Sequence, residues 1–265
     1  MKKFRYYFAL LALLTIITGA LFSSAAFAGA LSNSTHNTQP VMLYSLYGKT
    51  ANGEGYNAKL FATYENKGVY ATDIKIEITF KDKSGYTIVP GQNSGYSPAI
   101  TLADFYGDGG KQVFYGAGSG GSGAFGYYYV FNITKDGAEA VFDFEQCYNT
   151  YSAKYTDGYK VQVSESLSGA EYFIDISRRG QDYLSSIYDE CGLLLKPVSA
   201  DVSAVNTVLP FFDNYRGRFN LIIMRRITGL YGADALGYTQ DFVTFTGEGF
   251  TPYFSCVCIY PEITA

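Results

Sequence analysis

Between Leu102 and Ile133 the chain spells out a loop and two strands. Asp104-Phe105-Tyr106-Gly107-Asp108-Gly109-Gly110 runs into the apolar Val113-Phe114-Tyr115. A glycine–serine tract from Gly116 to Gly126 follows, and then Tyr127-Tyr128-Tyr129-Val130-Phe131. Short acidic residues separated by glycines continue neither a strand nor a helix. They make a tight corner in which carboxylates and carbonyls converge, suited to a hard cation or to a turn held by side-chain hydrogen bonds.

The rest of the chain has the same grain. Ile74, Ile76, Ile78 and Phe80 alternate with Lys75, Glu77 and Thr79, the period of a half-buried strand. Residues 58–64 read as its neighbour, 81–85 as a turn and 86–89 as a return strand. Residues 112–115, 127–133 and 138–144 read as a meander. The same order returns at 219–227, 239–246 and 250–259, with a hairpin at 158–164 and 171–176 between. Twenty-six Tyr, twenty Phe and twenty-nine Gly suit pleated, tightly turned structure. The expected fold is all-β: repeated antiparallel β-meanders arranged like a propeller, with a single sandwich or barrel as the alternative. One helix is expected over 181–191, where Leu184, Ile187, Tyr188 and Cys191 fall at three-four spacing before Gly192.

The segment from Leu102 to Val113 resembles an FG-GAP/VCBS-type repeat, the calcium-loop motif of integrin-like β-propeller blades. That resemblance implies a cation corner built on Asp104 and Asp108, with the Gly110 carbonyl and Gln112 completing it. Tyr106 and Gln112 stand where the motif has short oxygen ligands. With two carboxylates and one amide, the loop is expected to bind calcium weakly, if it is more than a turn. No other cofactor is implied.

Residues 1–28 read as a secretory leader. Lys2, Lys3 and Arg5 precede an apolar core, and Ala26-Phe27-Ala28 fits a cleavage site. Residues 29–40, with the lone His36, read as a flexible lead-in, and 41–265 as the β-repeat domain. The expected location is outside the bacterial cell or in its envelope, with no membrane span after cleavage. Loss of the leader leaves seventeen basic residues against twenty-four acidic, a formal charge of −7. That surface repels phosphate backbones, so nucleic acid is not an expected partner. In an oxidising compartment Cys147, Cys191, Cys256 and Cys258 are candidates for disulfides of open pairing. Cys256 and Cys258 share a strand face but are poorly aimed at each other.

Past residue 40 there is no histidine, which removes the Ser-His-Asp, Cys-His and most zinc mechanisms. The glycine tract lacks the lysine and following helix of a phosphate loop. Carboxylate pairs of the glycosidase kind survive, with Asp143, Glu145, Asp189, Glu190, Asp213 and Asp241 available. The residues favour a noncatalytic binding or surface-interaction protein, with cell-wall glycan or a surface protein as partner. The alternatives are a secreted polysaccharide hydrolase and a tyrosine-rich spore or envelope matrix component.

Overall fold

Strand alternation in the first half becomes a curled antiparallel sheet. The computed structural model describes residues 39–65, 68–121, 123–147 and 149–259. The leader, His36 and residues 29–38 of the lead-in lie outside the described residues. β1 (Val41–Lys49), β2 (Gly55–Tyr64), β3 (Tyr70–Phe80), β4 (Gly85–Ile88), β5 (Gly95–Ala103), β6 (Gln112–Gly118), β7 (Gly126–Ile133) and β8 (Ala138–Asp143) form it. Their order is β1-β2-β3-β5-β6-β7-β8, with β4 hydrogen-bonded to β3.

The register explains why it holds. Tyr56, Ala58 and Leu60 lie opposite Phe80, Ile78 and Ile76. All six are buried, and each large member contributes about 1.5–3 kcal/mol through lost apolar surface. Ile100, Tyr115, Tyr129 and Phe131 complete this cluster from β5, β6 and β7. Between β1 and β2 the chain reverses through Gly53, whose φ of +82° is the left-handed conformation that a side chain resists.

The second half forms a separate sheet. It comprises β9 (Tyr151–Thr156), β10 (Lys160–Glu165), β11 (Glu171–Asp175), β12 (Ser199–Asp213), β13 (Arg218–Thr228), β14 (Ala235–Phe245) and β15 (Phe250–Ile259). Their order is β11-β10-β9-β12-β13-β14-β15, every pairing antiparallel. This sheet rolls into a nearly closed barrel. Its two edge strands meet where the Tyr172 hydroxyl on β11 reaches the Ser255 carbonyl on β15 at 3.3 Å.

The fold is therefore all-β, as the alternation implies, but the propeller-like arrangement is overturned. The meanders are consecutive stretches of two sheets and are not repeated around an axis. A shared cluster joins the sheets, with Phe105, Phe114, Val130 and Phe142 from the first and Val208, Leu221, Ile223 and Val243 from the second. Tyr127 and Tyr129 pack on the first sheet's own cluster, while Tyr128 packs on the shared one.

The helix is also shorter than its spacing implies. α1 covers only Gln181–Ser185. Beyond it Asp189 accepts the Cys191 and Leu193 N–H groups at 2.9 and 2.8 Å, so a side chain takes donors that a continuing helix would need. Leu184, Ile187 and Tyr188 are still buried, against the barrel's end. A latch holds this cap. Arg179 reaches Asp234 at 2.8 Å, Tyr183 donates to Asp234 at 2.6 Å, and the Tyr155 and Tyr183 hydroxyls lie 2.6 Å apart.

Candidate functional site: an acidic corner and a polar layer

The acidic corner has its carboxylates already engaged. Asp104 accepts the Gly107 and Gly109 N–H groups, at 2.6 Å on Oδ1 and 2.8 Å on Oδ2. Asp108 accepts the Gly110 N–H at 2.8 Å. Gln112 is buried, and its amide oxygen takes the Phe105 N–H at 2.8 Å. These bonds make a side-chain-braced turn. Gly110 is required there, since a Cβ on it would sit 2.7 Å from the Ala51 backbone nitrogen.

The corner's other residues tie the two sheets together. Phe105 is fully buried and packs edge-on to Phe250, with ring centroids 5.6 Å apart. Tyr106, at a motif position for an oxygen ligand, stacks on Phe245 at 4.0 Å. The Asp104 carbonyl accepts the Phe219 N–H at 2.8 Å.

The more concentrated chemistry lies inside the barrel. One strand step beyond the apolar positions Val163, Ile174, Ile227 and Val257, the inward residues become Glu165, Tyr172, Arg225 and Ser255. Asp241 of β14 and Tyr151 of β9 join them, with Asn149 just before β9. Past this layer the interior is apolar again, with Ile223, Leu221 and Val243.

A buried charge costs several kcal/mol unless it is paired and hydrogen-bonded, and this layer is heavily bonded. Asp241 Oδ2 accepts from Arg225 Nη1 at 2.6 Å. Its Oδ1 accepts from Asn149 Nδ2 at 2.9 Å, from Ser255 Oγ at 2.8 Å, and from the Tyr151 hydroxyl in a short bond. Asn149 Nδ2 also donates to Glu165 Oε1 at 2.9 Å. Glu165 Oε2 accepts from Ser168 at 2.8 Å and from the Tyr172 hydroxyl at 3.2 Å. The Arg225 and Asp241 side chains are 6% and 1% exposed, so the pair is sealed from solvent. Burial, and then the Asp241 carboxylate, push the Tyr151 hydroxyl well above its ordinary value. Burial first and Glu165 second push Tyr172 up to about 12.

Of the carboxylates named from sequence, only Asp241 belongs to this layer, and its companion Glu165 was not among them. Asp143 caps the turn at Phe144–Gln146 through the Glu145 N–H. Asp189 braces the turn after α1. Asp213 accepts from Tyr215, Arg216 and Asn220 at the β12–β13 turn. An inward charged residue in a run such as Leu221-Ile222-Ile223-Met224-Arg225 is the sequence signal that could have found Arg225, and with it the need for a buried acid.

The four cysteines are free thiols. Cys147 lies against the inter-sheet cluster, where burial pushes its thiol up to about 11. Cys191 is exposed in the turn after α1. Cys256 and Cys258 point outward from β15, because Val257 between them packs inward. Among the described residues no three His, Cys, Asp or Glu side chains gather in a way that could hold a metal ion.

The match to a family model falls on the barrel half. Residues 149–258, which carry the whole polar layer, match the family model described as the YybI C-terminal domain. A relative from Bacillus subtilis (strain 168), "Uncharacterized protein YybI", is 31% identical over 160 residues. That stretch is 60% of this chain and 61% of the relative, so the chain spans about three-fifths of the relative's length. No solved structure matches. These matches overturn the FG-GAP/VCBS resemblance: the family likeness of this chain is to the YybI C-terminal domain, whose model match begins beyond the acidic corner.

Proposed function

We propose that this chain is a noncatalytic protein of the cell exterior that binds wall polysaccharide through aromatic side chains displayed on braced turns. One observation carries the reading. Tyr215, 91% exposed, stands on the β12–β13 turn, and that turn is locked beneath it. Asp213 accepts the Tyr215 and Arg216 N–H groups at 2.9 and 3.1 Å, the Arg216 guanidinium at 2.8 Å and the Asn220 amide at 3.0 Å. Arg216 in turn lies over the Tyr253 ring at 4.2 Å. An aromatic face held out on a preorganised turn loses little entropy on binding. Tyr231, on the β13–β14 turn, and Tyr47, on the edge strand β1, are further exposed rings.

The hydrolase alternative has less support. Glu165 and Asp241 share the Asn149 amide and so stand close together, as a retaining pair would. Both are buried, though, and occupied by protein donors, where a substrate would need access. Export is supported by the leader-like residues 1–28.

Co-sedimentation of the purified protein with insoluble wall polysaccharide tests the proposal. The expected result is retention that falls about tenfold in Tyr215→Ala, as at other aromatic anchors. Protein that stays in the supernatant would count against it. So would release of reducing sugar that Glu165→Gln abolishes without lowering the melting temperature.

A further inference from the structure

The outward face of β15 carries chemistry that the polysaccharide reading does not use. Cys256 and Cys258 are two residues apart on one strand, so their side chains project side by side from one face. Cys258 is exposed and Cys256 half-buried, and β14 is the one strand hydrogen-bonded to β15 in the sheet. Across that pairing, Gln240 faces Cys256, with its amide oxygen 3.9 Å from the sulfur, and Tyr238 faces Cys258. The partners across that pairing are thus neutral.

Two outcomes are open to such a dithiol, and geometry separates them. A direct disulfide needs its Cα atoms within about 6.8 Å and its Cβ atoms within about 4.5 Å. Positions i and i+2 of a strand stand about 6.4–6.8 Å apart with parallel Cα–Cβ bonds. An intrastrand disulfide would sit at that limit, strained and easily reduced. An atom bridging the sulfurs through two bonds of about 2.3 Å suits side chains that project in parallel. Two thiolates that face Gln240 and Tyr238 across the strand pairing select a soft ion over zinc or calcium.

We propose that Cys256 and Cys258 form a two-thiolate site for a soft, thiophilic cation of the copper(I) class on the outer face of the barrel. Binding makes two metal–sulfur bonds and releases to solvent whatever protons the sulfurs hold, and no electron changes hands.

The test uses reduced protein under anaerobic conditions, titrated into copper(I) held as its coloured bicinchoninate complex. Wild-type protein is expected to bleach one equivalent of the complex per chain. Cys258→Ser and Cys256→Ser are each expected to weaken that uptake at least tenfold. The Cys147→Ser/Cys191→Ser double variant should bleach as wild type does. Because Cys258 is exposed, its serine variant should keep the wild-type melting temperature, which separates loss of the ion from loss of the fold. A wild-type protein that leaves the complex coloured overturns the proposal, and so does a Cys258→Ser variant that bleaches it equally well.

Discussion

The acidic corner and the polar layer both withdraw a carboxylate from water, and they do it in opposite ways. Asp104 is satisfied by two backbone N–H groups three and five residues further along. Asp241 is satisfied by Ser255 and Arg225, fourteen and sixteen residues away, and by Tyr151 and Asn149, ninety and ninety-two residues away. The corner can form as soon as its own seven residues turn. The layer exists only when the barrel has nearly closed. A carboxylate stabilised by local donors braces one loop, whereas one stabilised by distant side chains reports on the whole sheet.

That difference should be largest when Arg225 is removed. Arg225→Met keeps the volume of the side chain but leaves Asp241 buried without its cation. We expect a loss of about 3–5 kcal/mol, the cost of breaking a sealed ion pair from one side. Urea unfolding followed by circular dichroism reads it directly. Replacing Asp241 by Leu in the same chain should recover part of the loss, because the orphaned charge is then gone. A single variant that unfolds at the wild-type urea concentration would mean that the barrel admits water to the layer.

At the corner the expected effect is smaller. Asp104→Ala strips the exposed Gly107 N–H and the half-buried Gly109 N–H of their acceptor, which should cost about 1 kcal/mol. Asp104→Asn retains one amide oxygen and should lose less. If the corner is a joint between sheets as well as a turn, the Ala variant should also loosen the packing of Phe105 and Tyr106 against Phe250 and Phe245. Faster amide exchange at Phe219, whose N–H bonds the Asp104 carbonyl, would register that.

The same division between local and distant explains what the sequence revealed. Alternation at Ile74–Phe80, the turn residues at 81–85 and 247–249, and the apolar run at 219–227 all act within one element, and each became the expected strand or turn. β12 left no such trace. Its pairing with β13 is interrupted by register shifts after Val202 and after Val205, which break the period of two. Pro210 also argues against a strand interior. It is tolerated because β12 pairs with β9 only at Ser199 and Ala200, so the N–H that Pro210 lacks is not needed for that pairing. The propeller reading failed for a related reason: a meander looks the same in sequence whether it recurs around an axis or extends one sheet. In the helix, Leu184, Ile187 and Tyr188 have helical spacing and are buried, yet the Asp189 side chain redirects the backbone. Glu165 escaped notice because a carboxylate at a strand end looks solvated until the partner strands are known.

The smallest effect tests whether the barrel's seam is closed. Tyr172 sits on β11 with its hydroxyl shared between Glu165 and the Ser255 carbonyl across the gap to β15. Burial, and then Glu165, raise it to about 12, against about 10 for a tyrosine in an unfolded chain. A group raised on folding holds its proton in the native state after the unfolded state has released it. The stability it supports is therefore complete below about pH 10 and is lost as pH climbs toward 12. Urea midpoints measured from pH 9 to 12 should fall along that limb in the wild type and fall less steeply in Tyr172→Phe, which has no proton to lose. Tyr151 would keep part of the slope in both, since its hydroxyl is also raised. Parallel curves for the two proteins would place the Tyr172 hydroxyl in water, and the seam between β11 and β15 would then be open to solvent on the side where Glu165 lies.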